Sequence, residues 1–248
     1  MARKRRLYGS SGFYHVILRG NNRQNLFNDD SDRFFFIGRL RKYSVELKVD
    51  VHAYCLMNNH VHVLIGNANQ NMSLLLQKIA NSYVFYFNRK YDRCGHLFQG
   101  RYKSEPIVDD SHFETVYRYI LQNSEKAGLG EFNQYKWNSY WALRKNSKHG
   151  FVKVEYAISL FGSKKELMKF LKLKELKKCM EFENKFVFSD ERAIEFIKKL
   201  FGISSPYKLE RLMIDDQESK CRVMKKHGIP VNQIARITGI SRAIIKRS

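Results

Sequence analysis

The chain of 248 residues is short of acid: 24 Asp and Glu stand against 45 Lys and Arg, a formal charge of +21. A surface so poor in carboxylates concentrates polyanions, which makes nucleic acid the first partner to expect. No run of about 18 apolar residues occurs. The basic start Met1-Ala2-Arg3-Lys4-Arg5-Arg6 leads into no apolar signal segment. A membrane partner is therefore not expected, and a cytoplasmic location is. The four cysteines, Cys55, Cys94, Cys179 and Cys221, form no C-x-x-C pair, which argues against a disulfide framework or a zinc knuckle. There is no Walker or Rossmann glycine motif, no internal repeat and no low-complexity tract, so no nucleotide cofactor is expected.

What the chain does contain, in its first half, is a regular succession of periods. Phe13, His15, Ile17 and Arg19 alternate with Tyr14, Val16 and Leu18, a strand of period two that stops at Gly20-Asn21-Asn22. From Asp30 to about Leu47, Phe34, Ile37, Leu40 and Tyr43 follow an acidic start at helical spacing. Val49 to Met57 and His60 to Ile65 read as two strands joined by the turn Asn58-Asn59. A helix carrying Leu75, Ile79, Tyr83 and Phe87 follows, then a loop with Gly95 and Gly100, a short strand near Lys103 to Val108, and a helix from Ser111 to Lys126 capped by Asp109-Asp110. The order strand, helix, strand, strand, helix, strand predicts an α+β, ferredoxin-like domain over residues 1–145, an antiparallel sheet with helices on one face.

Residues 146–248 read as a mostly helical, Lys- and Glu-rich region. Its last part, 220–248, has eight Lys or Arg and no acid. There Val231 to Thr238, Gly239-Ile240 and a helix from Arg242 capped by Ser241 suit a helix-turn-helix, with a basic amphipathic tail as the alternative.

His60-Val61-His62 carries the chemistry. Residues i and i+2 of a strand share a face, so the two imidazoles converge closely enough to bind one metal ion, while Val61 turns into the core. On the last helix of the domain Tyr119 and Asn123 stand four apart and share a face. An amide oxygen suits Mg²⁺ or Mn²⁺ as a third ligand, and histidines favour Mn²⁺ or another transition metal. Tyr117 is the rival nucleophile, but its four-on neighbour is Leu121, which binds no metal. For DNA binding, Arg3, Lys4, Arg5 and Arg6 form a basic arm, Arg19, Arg23, Arg101 and Lys103 flank the site in sequence, and Arg242, Lys246 and Arg247 lie on the terminal helix.

Four ordered blocks resemble one family: Tyr54 to Ile65 (YCLMNNHVHVLI), Gly95 to Lys103 (GHLFQGRYK), Tyr117 to Asn123 (YRYILQN) and Tyr135 to Tyr140 (YKWNSY). They are similar to the IS200-like single-tyrosine HUH transposases, and within these to the REP-associated tyrosine transposases, over about residues 8–145. The resemblance implies His60, His62 and Asn123 as ligands of a divalent metal (Mg²⁺ or Mn²⁺) and Tyr119 as the catalytic nucleophile. It also implies cleavage and rejoining of single-stranded or hairpin DNA, with repeated extragenic palindromes as candidate targets, through a 5′-phosphotyrosine intermediate. Ser124 departs from the subgroup, which usually has proline there. The alternative is a sequence-specific DNA-binding or repressor protein whose HUH site is inactive.

Overall fold

The computed structural model describes residues 11–68, 70–144, 150–173, 179–180, 190–227 and 229–248. Chain contacts divide it into two units, residues 1–182 and 183–248.

The first unit is built on four strands, β1 (Tyr14–Arg19), β2 (Asp50–Leu56), β3 (His60–Gly66) and β4 (Lys103–Pro106), hydrogen-bonded in the order β2-β3-β1-β4 with every pair antiparallel. That order follows from two crossovers. Helix α1 (Asp30–Glu46) carries the chain from β1 to the far edge, and α2 (Met72–Lys90) carries it from β3 to the opposite edge. The result is the expected split unit. The Asn58-Asn59 turn closes the β2–β3 hairpin, with the Met57 amide donating to the His60 carbonyl at 2.8 Å.

Helices cover both faces of this sheet, where one helical layer was expected. Tyr14, Val16, Leu18, Val61, Val63 and Ile65 point to the face buried by α1 and α2. Ala53, Cys55, Met57 and Leu64 point the other way, into a second core with α3 (Asp110–Leu121), α6 (Glu155–Leu160) and α7 (Lys164–Lys172). The reason lies in the strands: β2 and β3 are buried at every position after their first. A sheet buried on both sides leaves neither face for water.

Helix α1 starts at a capping box in which Asp29 accepts from the Asp32 amide at 3.0 Å and Asp32 accepts from the Asp29 amide at 3.3 Å. Lys90, at the end of α2, ties both carboxylates at 2.6 and 2.8 Å. The pair of helices is thereby locked at one end over the first core.

The expected helix 111–126 is broken. Its first part is α3, capped by Asp109; after Gln122 a short α4 (Asn123–Lys126) follows, and α5 (Trp141–Arg144) comes after it in the chain. The Gln122 side-chain amide donates to the carbonyls of Leu171 and Leu173 at 2.8 Å each, satisfying the end of α7 and holding the break in place. Ser124 is fully buried immediately after it.

In the second unit α8 (Asp190–Phe201), α9 (Ile214–Lys226), α10 (Val231–Thr238) and α11 (Arg242–Arg247) surround a core that includes Ile197, Met224, Ile234, Ile237 and Ile245. Gly239 ends α10 at φ 80°, the left-handed turn for which glycine is suited, and the Ser241 hydroxyl caps α11 through the Ile244 amide. No helix among the described residues is long and apolar enough to cross a membrane.

Candidate active site

The strand register decides which side chains meet. Ile17 lies opposite His62 and Arg19 opposite His60 on β3, while His15 and Ile17 lie opposite Glu105 and Lys103 on β4. Directly opposed residues of an antiparallel pair share a face. His15, Arg19, His60, His62, Lys103 and Glu105 therefore form one polar field on the face covered by α3. The ring centres of His60 and His62 are 5.0 Å apart at 74°.

Each histidine is held through Nδ1. His60 Nδ1 donates to Asn59 Oδ1 at 2.7 Å. Asn59 is itself anchored, its side chain donating to the Arg23 carbonyl at 3.3 Å and its own carbonyl accepting from the Gly20 amide at 2.8 Å. Gly20 is needed at this crossing because a Cβ there would collide with the carbonyl oxygen of Gln24. His62 Nδ1 meets His15 Nε2 at 2.9 Å, and Glu105 Oε2 lies 3.9 Å from His15 Nδ1. The carboxylate favours a proton on His15 Nδ1, which makes His15 Nε2 the acceptor and His62 Nδ1 the donor. Both His60 and His62 then carry their lone pair on Nε2.

The protonation energetics point the same way. Burial, followed by the charges of His15, His60 and Lys126, pushes His62 well below the ordinary histidine value, so it is neutral at pH 7. The His15 imidazole holds the Glu105 carboxyl below its usual value against the opposing effect of burial.

Helix α3 lays its tyrosines on different neighbours. The Tyr119 ring lies 5.7 Å from His62 and 5.9 Å from His15, both edge-on, with the Lys126 ammonium 4.1 Å from its centre. Tyr117 instead stacks on Phe113 at 5.8 Å, and desolvation raises its phenol. Both tyrosines are buried, Tyr119 to 1% exposure. Asn123 does not extend toward the phenol along an unbroken helix. Its side-chain amide donates to the Tyr119 carbonyl at 2.9 Å across the break, which orients the residue and ties it to the tyrosine backbone. The block 135–140 supports this corner: Asn138 donates to the Leu121 carbonyl at 3.3 Å, and the Ser139 hydroxyl accepts from the Tyr54 amide of β2 at 2.8 Å.

Among the described residues no group of three or more His, Cys, Asp or Glu side chains is placed to hold a metal ion. An ion here would draw on the two histidines, an amide oxygen such as that of Asn123, and phosphate or water oxygens.

Of the expected DNA-binding residues, Arg3, Lys4, Arg5 and Arg6 lie outside the described residues. Arg19 is beside His60 and Lys103 is two strands from His62, on the same face. Arg23, at the end of a short 3-10 helix after β1, and Arg101, in the loop before β4, are exposed. Arg242, Lys246 and Arg247 are exposed on α11, where Arg247 pairs with Glu218 at 3.0 Å. Sequence reasoning missed Asn59, Glu105 and Lys126, and read His15 only as part of a strand. The period-two alternation that places His60 and His62 on one face was the signal available for His15.

Residues 10–123 match the family model described as "Transposase IS200 like". Among solved structures, one described as that of "the REP associates tyrosine transposase bound to a REP hairpin" is similar at a TM-score of 0.51 and 12% identity. That match covers 73% of this chain and 100% of that one, and shows a shared fold. A protein of Deinococcus radiodurans R1, described provisionally as a transposase, matches at a TM-score of 0.35 and 18% identity over 48% of this chain and 95% of its own. None of the curated protein sequences compared matches the chain.

Proposed function

We propose that the chain, whose residues 10–123 match the IS200-like transposase model, is a metal-dependent, single-tyrosine HUH transposase that cuts and rejoins single-stranded or hairpin DNA. The observation that carries the reading is the meeting of the Tyr119 ring with His62, beside His60, on one face of the sheet.

The donor set fits a divalent ion. Two imidazoles bound through Nε2 at about 2.1 Å have ring centres about 5 Å apart, and the observed pair stands at 5.0 Å with Nδ1 of each engaged elsewhere. His60, His62 and the Asn123 oxygen would hold the ion, with nitrogen donors favouring Mn²⁺ and the amide compatible with Mg²⁺. When bound, the ion would polarise the scissile phosphate and offset transition-state charge.

The protein's own groups supply the rest. Tyr119 loses its proton and its oxygen bonds to phosphorus; the P–O3′ bond breaks, and the departing 3′-oxygen is protonated. The products are a 5′-phosphotyrosine and a free 3′-hydroxyl. Because the phosphodiester energy is conserved, a 3′-hydroxyl can reverse the step and rejoin strands. Lys126 places a positive charge beside the attacking ring, where negative charge develops. His15, backed by Glu105, orients His62. Arg19 and Lys103, on the same face of the sheet, would contact phosphates, and the α10–Gly239–α11 segment is assigned DNA contact outside the catalytic step.

The described DNA partner of the REP-associated structure supports hairpin DNA as the substrate to try, and a cytoplasmic site of action follows. The test is incubation of the chain with palindromic hairpin DNA bearing a single-stranded flank, with Mn²⁺ or Mg²⁺, followed by a denaturing gel. A covalent protein–DNA adduct that disappears in EDTA is expected. Tight DNA binding with no adduct under any divalent ion would favour the repressor reading instead.

A further inference from the structure

The family match ends at residue 123, so the second unit lies outside it and holds none of the catalytic residues. Within that unit α10 is committed to the fold. Ile234 and Ile237 are buried, the Gln233 side-chain amide donates to Asp190 Oδ1 at 2.9 Å, and Arg236 pairs with the same carboxylate at 2.6 Å. The turn that follows is pinned as well. The Thr238 hydroxyl donates to the Ile234 carbonyl at 2.7 Å and accepts from the Ile240 amide at 3.3 Å, and Ile240 is buried.

Helix α11 is held differently. Ile245 is fully buried, with Ile244 half-buried beside it. At about 100° per residue, Arg242, Lys246, Ala243 and Arg247 follow one another over about 140° of the opposite side. All four are exposed. Arg247 is tied to Glu218 at 3.0 Å, whereas Arg242 and Lys246 pair with no carboxylate among the described residues. Two available cations thus stand one turn apart beside the short Ala243, whose methyl group leaves the helix backbone free to come close to a ligand.

We propose that the second unit reads the base sequence of double-stranded DNA, with this face of α11 laid in the major groove. The proposal rests on the DNA contact assigned above to the α10–Gly239–α11 segment, and gives that contact a substrate of its own. The major groove of B-form DNA is about 12 Å wide and admits an α-helix. That of A-form RNA is too deep and narrow. No aromatic ring belongs to this face of α11, so it lacks the stacking platform on which unpaired bases are held. The Arg242 guanidinium suits the paired acceptors of a guanine edge. Arg222 and Lys226, exposed one turn apart on α9, add positive charge for phosphates, which position the unit without reading sequence.

The test selects ligands for the full-length protein from a randomised duplex library in EDTA, which silences cutting. Wild type is expected to enrich a defined sequence and to bind it at least about a hundredfold more tightly than a scrambled duplex of the same composition. Arg242→Ala is expected to lose about tenfold in affinity and to relax the base preference at one position. Ala243→Leu, which adds bulk at an exposed site, is expected to abolish the preference. Both variants should keep the wild-type melting temperature. Enrichment of no sequence, or either variant binding the selected duplex as wild type does, would overturn the proposal. So would equal affinity for the separated strands of that duplex, or its displacement by polyglutamate at equal charge concentration, which would mark an acidic protein as the partner. A hairpin adduct without an enriched duplex removes only this inference, and an enriched duplex without an adduct removes only the nuclease reading.

Discussion

Replacing Tyr119 by Phe removes one oxygen and little else. The ring keeps its edge contacts with His62 and His15 at 5.7 and 5.9 Å and its place beside Lys126 at 4.1 Å. Loss of one hydroxyl and its hydrogen bonding costs about 1 kcal/mol of stability, so the variant should fold and bind hairpin DNA as wild type does. Adduct formation should fall at least a thousandfold, equivalent to about 4 kcal/mol of barrier, because no nucleophile remains at the histidine face. The paired control is Tyr117→Phe. Tyr117 is as deeply buried but stacks on Phe113, with its phenol raised by desolvation, so its hydroxyl faces core and not site. Adduct yield in Tyr117→Phe should stay within about threefold of wild type, a barrier change under about 1 kcal/mol. A denaturing gel measures the adduct, and protease digestion with mass spectrometry locates the linked residue. An adduct formed by Tyr119→Phe, or DNA mapped to Tyr117, would refute the argument from α3 geometry.

Three further outcomes are expected. His15→Asn should lower Mn²⁺ affinity about tenfold to a hundredfold, measured by isothermal titration, with hairpin binding in EDTA unchanged; unaltered Mn²⁺ affinity in a folded variant would show that His15 does not orient His62. His52 is buried among Phe13, Phe113 and Tyr156, and burial lowers it from 6.5. The fold therefore prefers its neutral form, and its contribution is complete above about pH 6.5 and lost as pH falls toward the lower folded value. Urea unfolding between about pH 7.5 and 5.5 should show stability declining on acidification, with a shallower decline in His52→Gln. Asp32→Ala should cost about 3 kcal/mol, because it breaks the α1 capping box and leaves Lys90 without its buried partner. A loss below about 0.5 kcal/mol by chemical denaturation would show that the cluster adds nothing beyond a surface pair.

Much of this architecture was readable in the residues themselves. Period-two alternation is set by the covalent geometry of an extended chain, so the strands and the shared face of His60 and His62 follow from residue order, as do the Asn58-Asn59 hairpin and the glycine turn between α10 and α11. The nonlocal facts were not readable. That helices cover both faces depends on α3, α6 and α7 returning to strands distant in sequence. That the tyrosine helix breaks at Gln122 depends on carbonyls of Leu171 and Leu173 some fifty positions later. The alliance of Glu105, His15 and His62 joins three strands whose register is a property of the assembled sheet. Local order in the chain determines which face a side chain takes, because that depends only on its neighbours along the backbone. Which side chains then meet across the face is decided by packing and register, and only the folded chain contains those.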